Sequence, residues 1–445
     1  MRAIPMSSAN VKIIEELKEF ISIVSTNPDI LKLFTTVSSG FSRKRKLSFE
    51  RLVLLIAKLC KKTLSVEIEQ FFKEANIAIT YSVSAFSQQR TKLNPEFYVV
   101  WNELLCACFY HYHRIYVKRW KGYRLVAGDG SNVSLVKNPA LESYFGGQGN
   151  QSGTFVQGKT FYLYDILNRL VLYSKIAPYR TGELTIAYPL ISNLKEDMLM
   201  IYDRNFCNYK MFALHLLQEK EIKFVIRAKD RQKFVKSFIK SGKKTDVIWL
   251  EPTPSAIEGL YDSGFKITSQ TRIKVRLVRV QLPESIEVLV TNLWEEDGHP
   301  SSEFKELYNE RWGIETNISL QKNILQLESF SGLTTTSVKQ DFYATVFTSN
   351  LFSILVKEAQ NTIDIDKANC KHPMQANRNK AFGKLKANIV GLFFSNEPKE
   401  ILRILYTHFI RDPLPVRPNR TFPRIVKNKQ SKSKHKTFTN YKPAY

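Results

Sequence analysis

The chain reads as a mixed α/β protein: a layered mixed sheet with helices, interrupted by a β-rich stretch and preceded by a helical N-terminal region. Three observations predict this. Apolar runs of strand length, Leu125-Val126-Ala127 and Met198-Leu199-Met200-Ile201-Tyr202, lead into Gly128-Asp129-Gly130 and Asp203, as buried strands do when they end at a turn. Helical periodicity dominates residues 1–120, with amphipathic runs at 11–24 and 49–61. Between about 228 and 303 the pattern shifts to short strands and turns.

The elements follow in order from residue 123. Runs at 161–165 and 170–175 suit a hairpin turning at Asn168-Arg169, and a helix over 183–194 leads to the strand that ends at Asp203. A helix over 209–219 and a strand over 223–227 complete one sheet with its covering helices. Later helices are expected over about 303–325, 341–360 and 379–394. The boundaries read as 1–120, 121–227, 228–303, 304–360, a helical stretch over 361–410 and a basic tail over 411–445.

Composition narrows the class. The 445 residues hold 66 Lys plus Arg against 41 Asp plus Glu, a formal charge of +25 that favours a polyanionic partner. With 43% hydrophobic and 12% aromatic residues the chain can bury large cores, which argues against a basic disordered protein. No apolar run approaches the roughly 18 residues that span a bilayer, and the N-terminus lacks a hydrophobic signal core, so a cytoplasmic protein is expected. Five scattered cysteines do not make a disulfide framework. Cys106, Cys108, His111 and His113 point several ways on an apolar helix, which disfavours zinc.

The chemistry concentrates in three acids. Asp129 sits between two glycines that allow a turn and a close approach by ligand, and Asp203 is followed by Arg204-Asn205. Glu315 lies within Tyr308-x2-Arg311-x3-Glu315-x6-Lys322, which on one continuous helix places all four side chains within roughly 40° of a common face. Carboxylates suit divalent ions that clamp the attacking and leaving oxygens of phosphodiester transfer, and an Arg and a Lys on the same face suit non-reacting phosphates. For the helix face alone, a solvated stripe with an Arg311–Glu315 pair is the plainer reading.

Gly128-Asp129-Gly130-Ser131, Tyr202-Asp203-Arg204-Asn205-Phe206 and the signature, followed by Leu327-Glu328-Ser329-Phe330-Ser331-Gly332, resemble the bacterial insertion-sequence transposases of the Tyr-Arg-Glu-Lys group. The resemblance extends over about 40–385. It implies a ribonuclease-H-like catalytic fold in which Asp129, Asp203 and Glu315 bind two Mg2+ or Mn2+ ions, and a β-rich insertion between the second Asp and the Glu. The intervals agree: 203 − 129 = 74 residues and 315 − 203 = 112, long enough for the insertion. It further implies cut-and-paste excision and strand transfer on double-stranded DNA, both terminal inverted repeats and target, by a nucleoid-associated homodimer on paired ends. Tyr308, Arg311 and Lys322 would hold phosphates. Some relatives place a wedging Trp before the strand that leads to the signature; here Glu287 precedes Val288-Leu289-Val290-Thr291-Asn292, so no wedge role passes to Trp294 or Trp249.

Other segments could touch DNA. A helix starting near Ser84, its expected cap, offers Gln88, Gln89 and Arg90 to base edges, or is an ordinary polar face. Arg272, Lys274 and Arg276 alternate with apolar residues, so a half-buried strand turns a basic face toward DNA or merely toward solvent. The Lys-rich tail suits general phosphate grip. Two rivals remain at this level: a DNA-binding regulator without cleavage, and a metal-dependent nuclease that does not join strands.

Overall fold

The structure is a computed structural model that describes residues 8–417 apart from 44–45, 59–60, 79–80 and 151–152. The Lys-rich part of the tail lies outside the described residues. The chain divides into two compact units: one takes the residues up to Tyr116, Val133–Gly158 and those from Leu320 onward, the other takes Val117–Asn132 and Lys159–Ser319.

The first unit is helical. Its axis is the helix Thr335–Asp366, started by a capping box between Thr334 and Ser337 and buried from Ser337 to Leu355 on nearly every side, polar residues such as Gln340, Asp341, Thr348 and Asn350 included. The helix Ser8–Thr26 buries Ile13, Ile14, Leu17, Ile21 and Val24, one stripe at helical spacing. Trp101, from the helix Glu96–Tyr112, is fully buried and stacks on Phe347 with ring centroids 3.7 Å apart. A polar seam adds direction to this packing: Thr348 donates to the Ala57 carbonyl and Asn350 donates to Asn102 Oδ1 at 2.7 Å. Residues 1–120 therefore do not form a body of their own; the helices up to Tyr116 share one core with the C-terminal helices. The amphipathic helix Pro398–Arg411, which buries Leu402, Leu405, Tyr406 and Phe409, belongs to the same unit and falls in the stretch 361–410 expected to be helical.

The second unit is a mixed sheet with helices. Its strands are β1 (Arg124–Ser134), β3 (Gly153–Asp165), β4 (Leu170–Pro178), β5 (Met198–Tyr202), β6 (Lys223–Arg227), β7 (Thr245–Leu250), β8 (Ile273–Gln281) and β9 (Ile286–Thr291), in the order β3-β1-β5-β6-β9-β8-β7 with β4 paired to β3. A further short strand, β2 (Gly147–Asn150), pairs antiparallel with the start of β3 inside the first unit. β1, β5 and β6 run parallel, and β9, β8 and β7 continue the sheet antiparallel from β6.

That continuation changes the reading of 228–303. Its strands extend the main sheet, and the helices Lys233–Lys240 and Pro254–Tyr261 bury Val235, Phe238, Ala256 and Leu260 in the same core as Val126, Met200 and Phe224. The segment is an α/β extension of the sheet rather than a separate β-rich insertion.

Candidate active site

Backbone register brings the first two acids together. β1 and β5 pair in parallel from Arg124 opposite Met198 to Gly128 opposite Tyr202, so Asp129, inside β1 where the strand runs on to Ser134 rather than turning, and Asp203, just past the end of β5, each follow one residue beyond the paired stretch on adjacent strands. Neighbouring strands lie about 4.8 Å apart. Asp203 caps the turn Arg204–Phe206 by accepting from the Asn205 amide at 2.8 Å, and Asp129 Oδ1 accepts from the Gly130 amide at 2.8 Å.

The flanking glycines make room for side chains as much as for any ligand. A Cβ on Gly128 would stand 2.6 Å from the Tyr202 ring, and one on Gly130 would stand 2.6 Å from Glu183 Oε1. Glu183 is thus a fourth acid at the site, held by Lys159 at 3.2 Å. Sequence reading assigned it only to a helix start. Burial, against the help of the Gly130 amide, and the charges of Asp203 and Glu183 push the Asp129 carboxyl up to about 7, with Arg311 opposing.

The signature segment is not one helix. Phe304–Asn309 and Trp312–Ser319 are separate α-helices, joined through Glu310 and Arg311 by tightened bonds such as Arg311 N to Tyr308 O and Ile314 N to Arg311 O. Leu320–Ile324 is then a π-helical turn. These two irregularities remove the common face that continuous α-geometry predicts for Tyr308, Arg311, Glu315 and Lys322.

Three of the four nevertheless gather in the second unit. Arg311 reaches Glu315 Oε1 at 2.9 Å and Asp129 Oδ2 at 3.9 Å, so one guanidinium links two of the three acids. Burial works against the Arg311 charge, but Tyr308, Glu315 and Asp129 outweigh it and raise its pKa. Its Nε is buried without a hydrogen-bond partner. Tyr308 is buried beside Arg311, Arg227, Asp203 and Glu287, and burial lifts its hydroxyl to about 12. Glu287 pairs with Arg227 at 2.7 Å. Trp312 is 58% exposed against Arg311 at 5.4 Å, another neighbour the sequence reading passed over. Lys322 lies in the first unit, 4.0 Å from Glu328.

Several expected DNA contacts are otherwise engaged. Arg90 is buried, with a 2.6 Å ion pair to Asp341 and further bonds to Gln340, Ser331 and the Ser337 carbonyl. Gln89 is buried and donates to the Leu47 carbonyl; Gln88 alone of the three is exposed. The cap of this helix is Ser82, not Ser84, and its buried face carries Phe86, Gln89 and Arg90. Arg276 is also buried, bound to Thr245, Glu295 and the carbonyls of Leu293 and His299. Arg272 pairs with Glu251 in the open, and Lys274 lies over the Trp294 ring at 4.7 Å. The basic strand face is accordingly reduced to two cations, both with partners.

As the side chains stand, no group of three or more His, Cys, Asp or Glu among the described residues could hold a metal ion. Asp129 and Asp203 stand side by side, and Glu315 is engaged by Arg311.

No curated protein matches the chain. A solved structure, the cryo-EM synaptic complex of piggyBac transposase with hairpin DNA, is similar over 95% of this chain and 89% of its own, at 11% identity and a TM-score of 0.42. Residues 120–351 match the transposase DDE domain family. That stretch is more than half of the chain and contains Asp129, Asp203 and Glu315. The chain belongs to the transposase DDE domain family.

Proposed function

We propose that the protein is a DNA transposase that excises an insertion sequence by cut-and-paste and joins it to target DNA, with Asp129, Asp203 and Glu315 as its metal-binding acids on a ribonuclease-H-like sheet. The observation that carries this is the β1–β5 register, which sets two carboxylates on adjacent strands beside the Arg311–Glu315 pair.

The donor set fits a divalent cation. The oxygens are carboxylates, as Mg2+ and Mn2+ prefer, and Asp129 is pushed to about 7 by burial and acidic neighbours, a burden that a bound cation relieves. Asp129 and Asp203 would hold the ions directly, and Glu315 would join them by exchanging Arg311 for metal. When bound, the ions would activate a water, or the 3′-hydroxyl of the freed DNA strand, as nucleophile and would neutralise charge at the phosphorus.

The chain's own side chains supply position and charge. Arg311, released from Glu315, is a planar fork for a non-reacting phosphate oxygen, and the Trp312 and Tyr308 rings lie against its guanidinium. Tyr308, with its proton held firmly to about 12, is a hydrogen-bond donor and not a base. Pairing of two ends calls for a homodimer.

The test is incubation with Mg2+ or Mn2+ and duplexes carrying the inverted repeats that flank its coding sequence, followed by mapping of nicks and joined products. Glu315→Gln should abolish both products and leave end binding intact. Nicks without joining would make it a nuclease, and end binding without either a regulator. Metal addition at pH 7 should also raise the melting temperature of the native chain and fail to do so in Asp129→Asn/Asp203→Asn.

A further inference from the structure

A second feature lies past the end of β5, on the far side of Asp203 from Asp129. β6 pairs in parallel with β5, Ile226 opposite Tyr202, so the loop after β6 emerges beside the turn that follows Asp203. Arg204, Asn205, Lys229, Asp230 and Arg231 line a cavity of about 420 Å³ there. Arg204 and Arg231 are exposed and Lys229 is half-buried.

Three cations line this cavity. Among the described residues, no carboxylate forms an ion pair with Arg204, Lys229 or Arg231, whereas nearby Arg227, Arg272 and Arg276 are held by Glu287, Glu251 and Glu295. One acid, Asp230, faces three cations. The helix Lys233–Lys240 starts two residues beyond Arg231, and its N-cap Gln232 gives it no side-chain cap, which leaves amide donors at the same loop. An anion satisfies both the cations and the amides, and two Arg forks suit the oxygens of a phosphodiester.

We propose that this cavity is a phosphate-binding subsite for a DNA strand, holding a backbone phosphate that neighbours the scissile one on the β6 side of Asp203. The inference rests on the transposase reading for the identity of the polyanion. It adds Arg204, Lys229 and Arg231 to the residues expected to position DNA, none of which belongs to the signature. The phosphate comes either from the element's end or from target DNA, and the two sources predict different losses.

The test compares native protein with Arg204→Ala/Arg231→Ala and with the conservative Arg204→Lys/Arg231→Lys, each checked by thermal melting. Binding to an end duplex is titrated across salt, and joining of pre-cut ends to a target plasmid is measured at saturating end DNA. If the phosphate is the element's, the Ala pair should flatten the log–log salt slope by about one and the Lys pair should restore most of it. If it is the target's, end binding should hold while joining falls about tenfold or more, again with rescue by Lys. A correctly folded Ala pair with native slope and native joining overturns the subsite. A native protein that binds ends but neither nicks nor joins them overturns the transposase reading alone, since a flattened slope would still uphold the phosphate site.

Discussion

Single residues here are decided by what surrounds their charge. Asp129 has a folded pKa of about 7 against an ordinary 3.8, so the folded chain retains a proton that the unfolded chain has already released. The resulting penalty is absent below about pH 4, grows as pH rises, and is complete above about 7. Asp129→Asn should therefore raise the melting temperature at pH 8 and leave it nearly unchanged at pH 4. Each tenfold change in proton affinity is worth about 1.4 kcal/mol, which caps the gain at about 4 kcal/mol. Arg90 behaves in the opposite sense. Removing it strands Asp341 in a buried site, so Arg90→Ala should cost about 3–5 kcal/mol in denaturant unfolding and leave the ratio of cognate to random DNA binding unchanged.

At the level of elements, the sequence was most informative where local pattern and tertiary role coincide. The strand Met198–Tyr202 is five consecutive buried residues, and its apolar run alone was enough to place Asp203 at its end. The signature segment was legible in its residues and not in its shape, because neither the tightened turn at Glu310-Arg311 nor the π-turn at Leu320–Ile324 has a composition that distinguishes it from α-helix. Burial of Arg90 and Arg276 was hidden for a different reason. Asp341 is 251 residues from Arg90 in sequence, and an alternating basic strand looks the same whether a loop covers its polar face or not. β8 accordingly yields a separable pair of outcomes: Arg276→Met should lower stability by leaving two carbonyls without their donor, while Lys274→Ala should leave stability within about 0.5 kcal/mol. Circular dichroism melts of both variants check this.

Across the two units, His113 and His215 are buried histidines held neutral by their surroundings. His113 shares a hydrogen with Asn10 Oδ1 in the helical unit, and His215 bonds the Met211 carbonyl in the sheet unit; burial lowers both to about 4. Their contribution is intact above about pH 6.5 and is lost as pH falls toward 4, when the unfolded chain takes up protons that the folded chain refuses. His113→Gln and His215→Gln should each flatten the fall of melting temperature with acid. The helices up to Tyr116 depend on partners such as Phe347 and Asn350, so a fragment of residues 1–116 expressed alone should show helical signal without a cooperative transition.

The path of the chain between the two units carries a consequence for descent. It changes unit after residues 116, 132, 158 and 319, so neither unit corresponds to one uninterrupted stretch of coding sequence. A recombination event with a single breakpoint, wherever it falls between residues 117 and 319, splits at least one core between two parents. Chimaeras of this lineage should survive mainly when the parents are already similar on both sides of the junction. New DNA specificities should then arise by point changes and loop insertions more readily than by the exchange of whole modules.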